Sequence, residues 1–356
     1  MGRNTREVSL LQSQDISYDE IQQVLDEVLE SESFSFGDFV EALLSGRENG
    51  GVVDMFWRVV KNSLNVLTGQ ENVVSHLLIL AVLGAVFTNF SKMLQKKQIA
   101  DTSFYVTYLL FFTTLASSYK MIMTQVTVDL TRISDFMKAL IPAYYLSLAF
   151  ATDAASSAAF YQLTLAAVGI MEVFLLCVAL PAVNIYFVIR MVSQLMREPG
   201  LDRLSQLIER IIHWGLKTIL LVVVGLQVIQ GLVLPEVSMA KKNLFIRAGG
   251  ALPGVGNTFT TTAETVVSAA SLLKDAIGAA GLLGLSFVCV LPVLRLALFS
   301  LAYYGIAAVI QPVSDKRIMA GVEGMADTLK LLLHMVCVSG ILFFLSIAIV
   351  STLSKG

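Results

Sequence analysis

The chain has 356 residues, of which 56% are hydrophobic and 15% charged, and its mean hydropathy is +0.74. Soluble domains carry about 25% charged residues, so this composition excludes a disordered protein and argues against a large soluble enzyme. The formal net charge is −2, and nothing in the charge balance points to nucleic acid. The composition predicts an all-α, polytopic membrane protein.

Charge divides the chain into two parts. Residues 1–60 hold 12 acidic and 4 basic residues, whereas the rest holds 15 acidic and 21 basic ones. We predict an acidic leader over 1–70, on the extracytoplasmic side, and a multi-pass membrane domain over 71–356. The first 15 residues lack the apolar core of a signal peptide. Apolar residues recur in the leader at helical spacing, which predicts amphipathic helices; they are Ile21, Val24, Leu25, Val28, Leu29, Phe39, Val40, Leu43 and Leu44. These helices either cap the membrane body or dock another protein.

Six stretches are long and apolar enough to span a membrane, which takes about 20 mostly apolar residues. They are 73–91, 103–124, 161–189, 215–234, 276–311 and 328–353. The third and fifth contain Pro181 and Pro292, and a proline ring removes a backbone hydrogen bond and breaks or kinks a helix. Each is either one kinked, overlong helix or two shorter ones, so about six to eight transmembrane helices are expected.

Two further segments, 139–160 and 248–271, are rich in small and polar residues. They are too polar for lipid and too apolar for a solvated loop, so we predict re-entrant or broken segments buried inside the protein. Glycine permits close approach and proline fixes a bend. The residues predicted to shape these loops are Pro142, Gly249, Gly250, Pro253, Gly254 and Gly256. An ordinary turn is the alternative for the glycine-rich segment.

Lysine and arginine mark the loops on the cytoplasmic side. They cluster at 92–97, 190–210 and 316–317, and all three loops lie inside if 139–160 and 248–271 do not cross the membrane. The leader and the C-terminus then lie outside. In this topology Lys241, Lys242 and Arg247 lie outside, which does not follow the rule.

A shift of 111 residues aligns several features without gaps, which suggests an internal duplication. Pro142 falls on Pro253, Pro181 on Pro292, and Asp153 on Glu264. We predict repeat units over 103–213 and 214–324, with chance coincidence as the alternative. Transport folds often arise from such repeats and place their working site at the repeat interface.

Ionisable groups inside apolar helices cost at least about 2.5–3.5 kcal/mol each at a helix centre, so they mark candidate sites. Asp153, Glu264, Glu172 and Arg295 are the candidates for a polar path. The alternatives are a solvated loop for the first two, and a pair or network that holds helices together for Glu172 and Arg295.

Catalytic signatures are missing from the sequence. His76, His213 and His334 are far apart, and no HExxH, GxSxG or phosphate-loop motif occurs. The cysteines Cys177, Cys289 and Cys337 form no CxxC pair. We expect neither an enzyme nor a bound metal or cofactor.

Three motifs carry a family resemblance: the Ile141-Pro-Ala-Tyr-Tyr145 segment, Gly250-Ala-Leu-Pro-Gly-Val-Gly256, and Gln311-Pro-Val-Ser-Asp-Lys-Arg-Ile318. In their order and spacing the chain resembles the stage III sporulation protein AE family, from about residue 50 to the C-terminus. The resemblance implies a multi-pass protein of the mother-cell membrane around the forespore. It would serve in a secretion-like channel with the other stage III A-operon membrane proteins, a secretion-type ATPase and a forespore-side partner across the intermembrane space.

We therefore expect a non-catalytic membrane subunit of that channel, required for endospore formation, and leave homo-oligomerisation open. The rival hypothesis is a stand-alone secondary transporter with its substrate site between the two re-entrant segments. A transporter should bind or move a solute alone, whereas a subunit should recover partners.

Overall fold

The computed structural model describes residues 16–29, 34–46, 97–151, 154–196, 199–250, 256–311 and 316–353, and the isolated positions 54, 57, 58, 61 and 82. The described elements are all helical, which confirms the predicted all-α membrane protein. In chain order they are α1 (Asp19–Leu29), α2 (Phe36–Ser45), α3 (Lys97–Ala151), α4 (Ala154–Val173), a π-helical turn (Phe174–Ala179), α5 (Leu180–Met196), α6 (Pro199–Gly250), α7 (Gly256–Ile310) and α8 (Lys316–Leu353).

Helices α1 and α2 form the described part of the leader, and both are amphipathic as predicted. The Ser35 hydroxyl accepts a hydrogen bond from the Asp38 N–H and so caps the start of α2. Gly46 ends α2 with a φ of 70°, a conformation that favours glycine. The buried apolar side chains are Ile21, Leu25 and Leu29 of α1 and Phe36, Phe39, Val40 and Leu44 of α2.

The Gln22 side chain joins the two leader segments. Its Nε2 donates to the Phe34 carbonyl at 2.6 Å, and its Oε1 accepts from the Phe36 N–H at 2.8 Å. Close by, burial raises the pKa of the Tyr18 hydroxyl to about 12, so this group stays protonated at physiological pH. The leader is therefore held in one arrangement by directional hydrogen bonds as well as by apolar packing.

We expect Gln22→Ala to loosen the leader, because it leaves two part-buried backbone groups without their partner, at a cost of about 1–3 kcal/mol. Proteolysis of the detergent-solubilised protein at leader glutamates should then be about 5–100-fold faster, if cleavage follows local opening. Gln23→Ala is the matched control, because Gln23 is an exposed neighbour on the same helix. Equal cleavage rates for the two variants would refute this role of Gln22.

The longer helices form an antiparallel bundle. Tyr145, late in α3, contacts Thr164, early in α4, so these two helices run in opposite directions. His213 and Gln227 of α6 contact His334 and Ser346 of α8 in the same order along the chain, so α6 and α8 run in the same direction. The start of α3, the α5–α6 connection and the α7–α8 connection consequently share one end of the bundle. We call it the basic end, because the clusters at 190–210 and 316–317 lie there, as the predicted topology requires.

Four helical stretches are long and apolar enough to cross a membrane: Ser157–Ser193, Leu201–Ile229, Thr265–Ile310 and Arg317–Ile349. They overlap the predicted spans 161–189, 215–234, 276–311 and 328–353. The span predicted at 73–91 lies outside the described residues, apart from position 82. The span predicted at 103–124 lies in α3. The described side chains of α3 are not apolar enough for this helix to count as a further membrane-crossing stretch.

The two prolines predicted to break helices have different local structures. Directly before Pro181 the chain forms the π-helical turn Phe174–Ala179. Such a wider turn is one way a helix accommodates the missing N–H and the bulk of the ring. Pro292 lies inside α7, which continues through it. The break predicted at Pro292 is therefore wrong, and its alternative of one overlong helix is what the structure has.

The segments predicted to be re-entrant or broken are largely helical. Residues 139–151 complete α3 and 154–160 begin α4, while 248–250 end α6 and 256–271 begin α7. The assignment of Pro142 to a loop is wrong, because this proline lies inside α3. Its neighbours Ile141, Ala143 and Tyr144 are buried, and this packing outweighs the helix-breaking cost of proline, about 3 kcal/mol. Most side chains over 139–149 are buried, whereas Pro142 and Leu146 are exposed, and the backbone is a regular helix rather than a re-entrant segment.

The leader packs on α3 and α7. The Phe34 ring lies 5.5 Å from the Phe287 ring, between centroids, and an Arg132–Glu27 ion pair of 3.9 Å joins α3 to α1. Two α7 glycines permit the close approach of α3. A Cβ on Gly281 would lie 2.6 Å from the Leu140 side chain, and one on Gly284 would lie 2.7 Å from Phe136.

Candidate functional site

Glu172 was predicted to line a polar path, and its partner is on α3. Its carboxylate lies 2.6 Å from the Lys138 ammonium, which also contacts Asp135 at 3.3 Å. All three side chains are partly exposed, with Lys138 at 37%. Partial exposure of three charges on apolar helices requires water or another polar surface beside them.

Arg295, the other predicted charge, does not pair with Glu172. Its guanidinium lies 3.5 Å from the carboxylate of Asp129 on α3, which also accepts a hydrogen bond from Gln125 at 3.0 Å. The Asp129 side chain is only 8% exposed. Removing one member of a buried pair leaves an uncompensated charge, so Asp129 and Arg295 fix the register between α3 and α7.

Both predicted charges thus find their partners on a stretch of α3 that the sequence analysis passed over. This stretch carries a polar residue at each turn: Gln125, Asp129, Arg132, Asp135 and Lys138. The signal was present in the sequence as charges three or four residues apart, the spacing at which successive side chains of a helix are neighbours. It was missed because 125–138 fell between a predicted span and a predicted re-entrant segment.

A second charged cluster lies at the basic end and involves five helical elements. Arg190 of α5 contacts Asp327 of α8 at 3.3 Å and Asp202 of α6 at 3.7 Å. The Tyr304 hydroxyl of α7 donates to Asp327 at 2.6 Å. Next to Arg190, the Met191 carbonyl accepts from the Tyr108 hydroxyl of α3 at 2.9 Å. We call these residues the Arg190 cluster. Sequence reasoning used Arg190 only as a topology marker and did not foresee it.

Hydrogen bonds between uncharged side chains connect the long helices at other positions along the bundle. Tyr119 donates to Asn184 at 2.6 Å, and Gln227 donates to Ser346 at 2.6 Å. The Tyr145 and Thr164 hydroxyls lie 2.7 Å apart, beside a cavity of about 30 Å³ that Tyr145, Thr164 and Ser346 help to line. The cavity has room for a water or two but not for a sizeable substrate.

Two histidines that are far apart in the sequence meet in the bundle. The His213 ring of α6 and the His334 ring of α8 lie 4.7 Å apart, edge to face. Within the part of the chain that the structure describes, no group of three or more His, Cys, Asp and Glu side chains could hold a metal ion. No described residue set is therefore assigned to a metal.

Several predicted site residues stay predictions. Asp153, Pro253 and Gly254 lie outside the described residues, and for Glu264 only the backbone is described, as part of α7. Gly249 and Gly250 end α6 and Gly256 begins α7, so these three belong to helix ends rather than to a loop. The repeat units 103–213 and 214–324 and the domain boundary at 70 are likewise still predictions.

The comparisons with known proteins agree with one another. The family profile described as "Stage III sporulation protein AE" matches residues 34–354. The Bacillus subtilis (strain 168) protein of that name is 20% identical over 278 residues, covering 78% of this chain and 69% of the relative. No solved structure gives a significant match.

Proposed function

This chain belongs to the stage III sporulation protein AE family and so has a role in sporulation, and on that basis we propose that it is a non-catalytic membrane subunit of a secretion-like channel between mother cell and forespore. It resides in the mother-cell membrane that surrounds the forespore, with the acidic leader on the extracytoplasmic side. The match extends over nearly all of the described helices, so the proposal concerns the whole bundle.

One observation carries the proposal. Within the described part of the bundle, the charged side chains named above pair across helices and do not converge on a reactive centre. Glu172 and Arg295 each pair with α3, and Arg190 contacts α6 and α8. Nucleophilic catalysis needs a nucleophile and a base in contact with each other. Paired charges along a helix bundle instead suit a conduit or an assembly platform.

The proposed partners follow from the family. They are the other stage III A-operon membrane proteins, a secretion-type ATPase and a forespore-side protein across the intermembrane space. The leader supports an extracytoplasmic contact, because residues 16–46 contain no Lys, Arg or His and leave six carboxylates exposed (Asp19, Glu20, Asp26, Glu27, Asp38 and Glu41). A basic partner surface would complement it.

Affinity purification from sporulating cells tests the proposal. We expect a tagged chain that restores spore formation to a deletion strain to recover those membrane proteins and the ATPase. The chain purified alone and placed in liposomes should neither bind nor move a solute. Solute uptake by the chain alone, with no partner recovered from cells, would favour a stand-alone transporter and contradict the proposal.

A further inference from the structure

Helices α6 and α8 lie side by side and in register. The His213 ring of α6 packs against the His334 ring of α8 with 4.7 Å between centroids, and the Gln227 side chain donates to the Ser346 hydroxyl at 2.6 Å. The second pair is 119 positions apart in the chain, and the first pair has nearly the same separation. Because the two helices also run in the same direction, residues with this separation lie at the same level of the bundle.

Both helices change from charged to apolar near the basic end. No charged residue occurs between Lys217 and Glu236 of α6, or between Lys330 of α8 and Lys355. Each stretch is long enough to match the hydrocarbon, which a helix crosses in about 20 residues. Lys217 and Lys330 therefore lie near the edge of the hydrocarbon at the basic end, which is the depth of lipid headgroups.

Exposed cations lie on both sides of the boundary between these two helices. Arg210, Trp214 and Lys217 follow one another at spacings of four and three residues, so they share one face of α6. All three are exposed, Trp214 by 70%, and tryptophan is enriched at membrane interfaces. Lys330 of α8 is exposed as well and lies level with Arg210. We call Arg210, Lys217 and Lys330 the groove cations.

The groove cations are not neutralised by carboxylates, in contrast to Arg190, which contacts two. In the described part of the chain, no carboxylate lies within ion-pair distance of a groove cation. Glu209, the chain neighbour of Arg210, contacts the His213 ring at 4.0 Å instead. Glu323 of α8 is about two turns further toward the basic end. The three cations thus leave an excess of positive charge at headgroup depth.

Apolar side chains continue both faces into the membrane. Leu221 of α6 is 70% exposed and lies level with Ile341 of α8, which is 51% exposed. Val228 and Leu345 are exposed further along the same two helices. Thr218 lies among them, and its hydroxyl donates to a carbonyl of its own helix at 2.9 Å, so it needs no water. The boundary between α6 and α8, which we call the α6–α8 groove, is therefore basic at one end and apolar along its length.

We propose that the α6–α8 groove binds an anionic phospholipid. The headgroup phosphate contacts the groove cations, and the acyl chains lie along the apolar side chains of α6 and α8. Basic groups between membrane helices are typical of sites for anionic headgroups. A soluble phosphate would leave the apolar length of the groove uncovered, and a zwitterionic lipid would bring its own cation beside the groove cations. The site goes beyond the proposed function, because it suits a channel subunit and a transporter equally.

Quenching of Trp214 fluorescence tests the proposal on the purified chain. The chain has two tryptophans, so Trp57→Phe leaves Trp214 as the sole fluorophore of this kind. The protein is placed in phosphatidylcholine nanodiscs that contain increasing mole fractions of brominated phosphatidylglycerol or, separately, brominated phosphatidylcholine. The bromine atoms are near the glycerol end of the acyl chain, and they quench only a tryptophan that this chain contacts.

We expect half-maximal quenching at an about fivefold lower mole fraction of phosphatidylglycerol than of phosphatidylcholine, since each basic residue near the surface favours anionic lipid by about that factor. Lys217→Gln combined with Lys330→Gln should reduce the preference to about twofold or less. Lys61→Gln combined with Lys120→Gln is the matched control, because it removes the same charge from exposed positions outside the groove, and it should keep the preference. Arg210→Gln gives the same readout if the first double variant does not fold.

Equal quenching by the two lipids would overturn the proposal, and so would an equal loss of preference in the control variant. Quenching by neither lipid would also contradict it, because another protein or a second copy of the chain would then cover the groove. Release of phosphatidylglycerol by millimolar inorganic phosphate, but not by chloride at the same ionic strength, would show that the cations bind phosphate itself and not a lipid. None of these outcomes depends on the recovery of partner proteins, so the proposed function is tested separately.

Discussion

Replacing Gly281 and Gly284 together by valine should separate α3 from α7 and abolish spore formation. A Cβ on Gly281 would lie 2.6 Å from Leu140, and one on Gly284 would lie 2.7 Å from Phe136, distances that real Cβ atoms do not show. Phe136 and Leu140 are buried, so both side chains must shift within a packed interior, although Leu140 borders the small cavity described above. Overpacking costs about 1–3 kcal/mol at each site, and a displaced α3 would also lose its contacts with the leader. The measurements are the amount of folded protein after detergent extraction, its Tm and the spore count.

Gly305→Val is the matched control on the same helix, because nothing lies within 4 Å of a Cβ at Gly305. It should leave Tm and spore count near those of the parent. Gly284→Ala should give an intermediate result, since a single methyl requires only a shift of the Phe136 ring. A double valine variant as stable as the Gly305→Val variant would show that α3 and α7 are not closely packed at these glycines.

Much of the architecture could be predicted because it depends on local pattern. The leader helices follow from apolar residues at helical spacing, and Ile21, Leu25 and Leu29 are indeed on the buried face of α1. The apolar stretches 161–189 and 328–353 follow from the cost of exposing backbone and charge to lipid. In such segments the sequence itself specifies both the secondary structure and the environment.

The errors lie where tertiary contacts outweigh local preference. Pro142 was assigned to a loop, but burial of its neighbours keeps α3 helical through it. Asp129, Arg132, Asp135 and Lys138 were passed over, yet each has an opposite charge beside it, and for three of them that partner is on another element. Such pairing cannot be read from one helix alone, because the partner residues are between 34 and 166 positions away in the chain.

The Arg190 cluster shows the same limit at the basic end. By sequence, Arg190, Asp202 and Asp327 are ordinary charges near the ends of spans, where exposure to water is expected. The structure brings them together because α5, α6 and α8 reach the same end of the bundle. Their side chains remain 25–47% exposed, so solvent reaches the cluster although it joins helices.

We expect Arg190→Gln to destabilise this end of the bundle by about 1–3 kcal/mol. The loss of a fully buried partner costs about 3–5 kcal/mol, and the value here is smaller because solvent screens partly exposed charges. Without the guanidinium, the carboxylates of Asp202 and Asp327 lose the cation that they share. The measurement is the Tm of the purified protein, with recovery of partner proteins as a second readout. Arg203→Gln is the control, because Arg203 is exposed near the start of α6.

A double-mutant cycle separates the Arg190–Asp327 contact from general effects of charge. Asp327→Asn alone should also lower the Tm, since it removes the negative charge that pairs with Arg190 and replaces the charged acceptor of the Tyr304 hydroxyl by a neutral one. The combined variant should lose less stability than the sum of the two single variants, because residues in contact are not additive. The coupling energy from the cycle measures the Arg190–Asp327 contact, while the Arg190–Asp202 contact is lost both in Arg190→Gln and in the double variant. Strict additivity, with Arg190→Gln no worse than Arg203→Gln, would show that the ion pair contributes nothing and that the helices at the basic end are held by apolar packing alone.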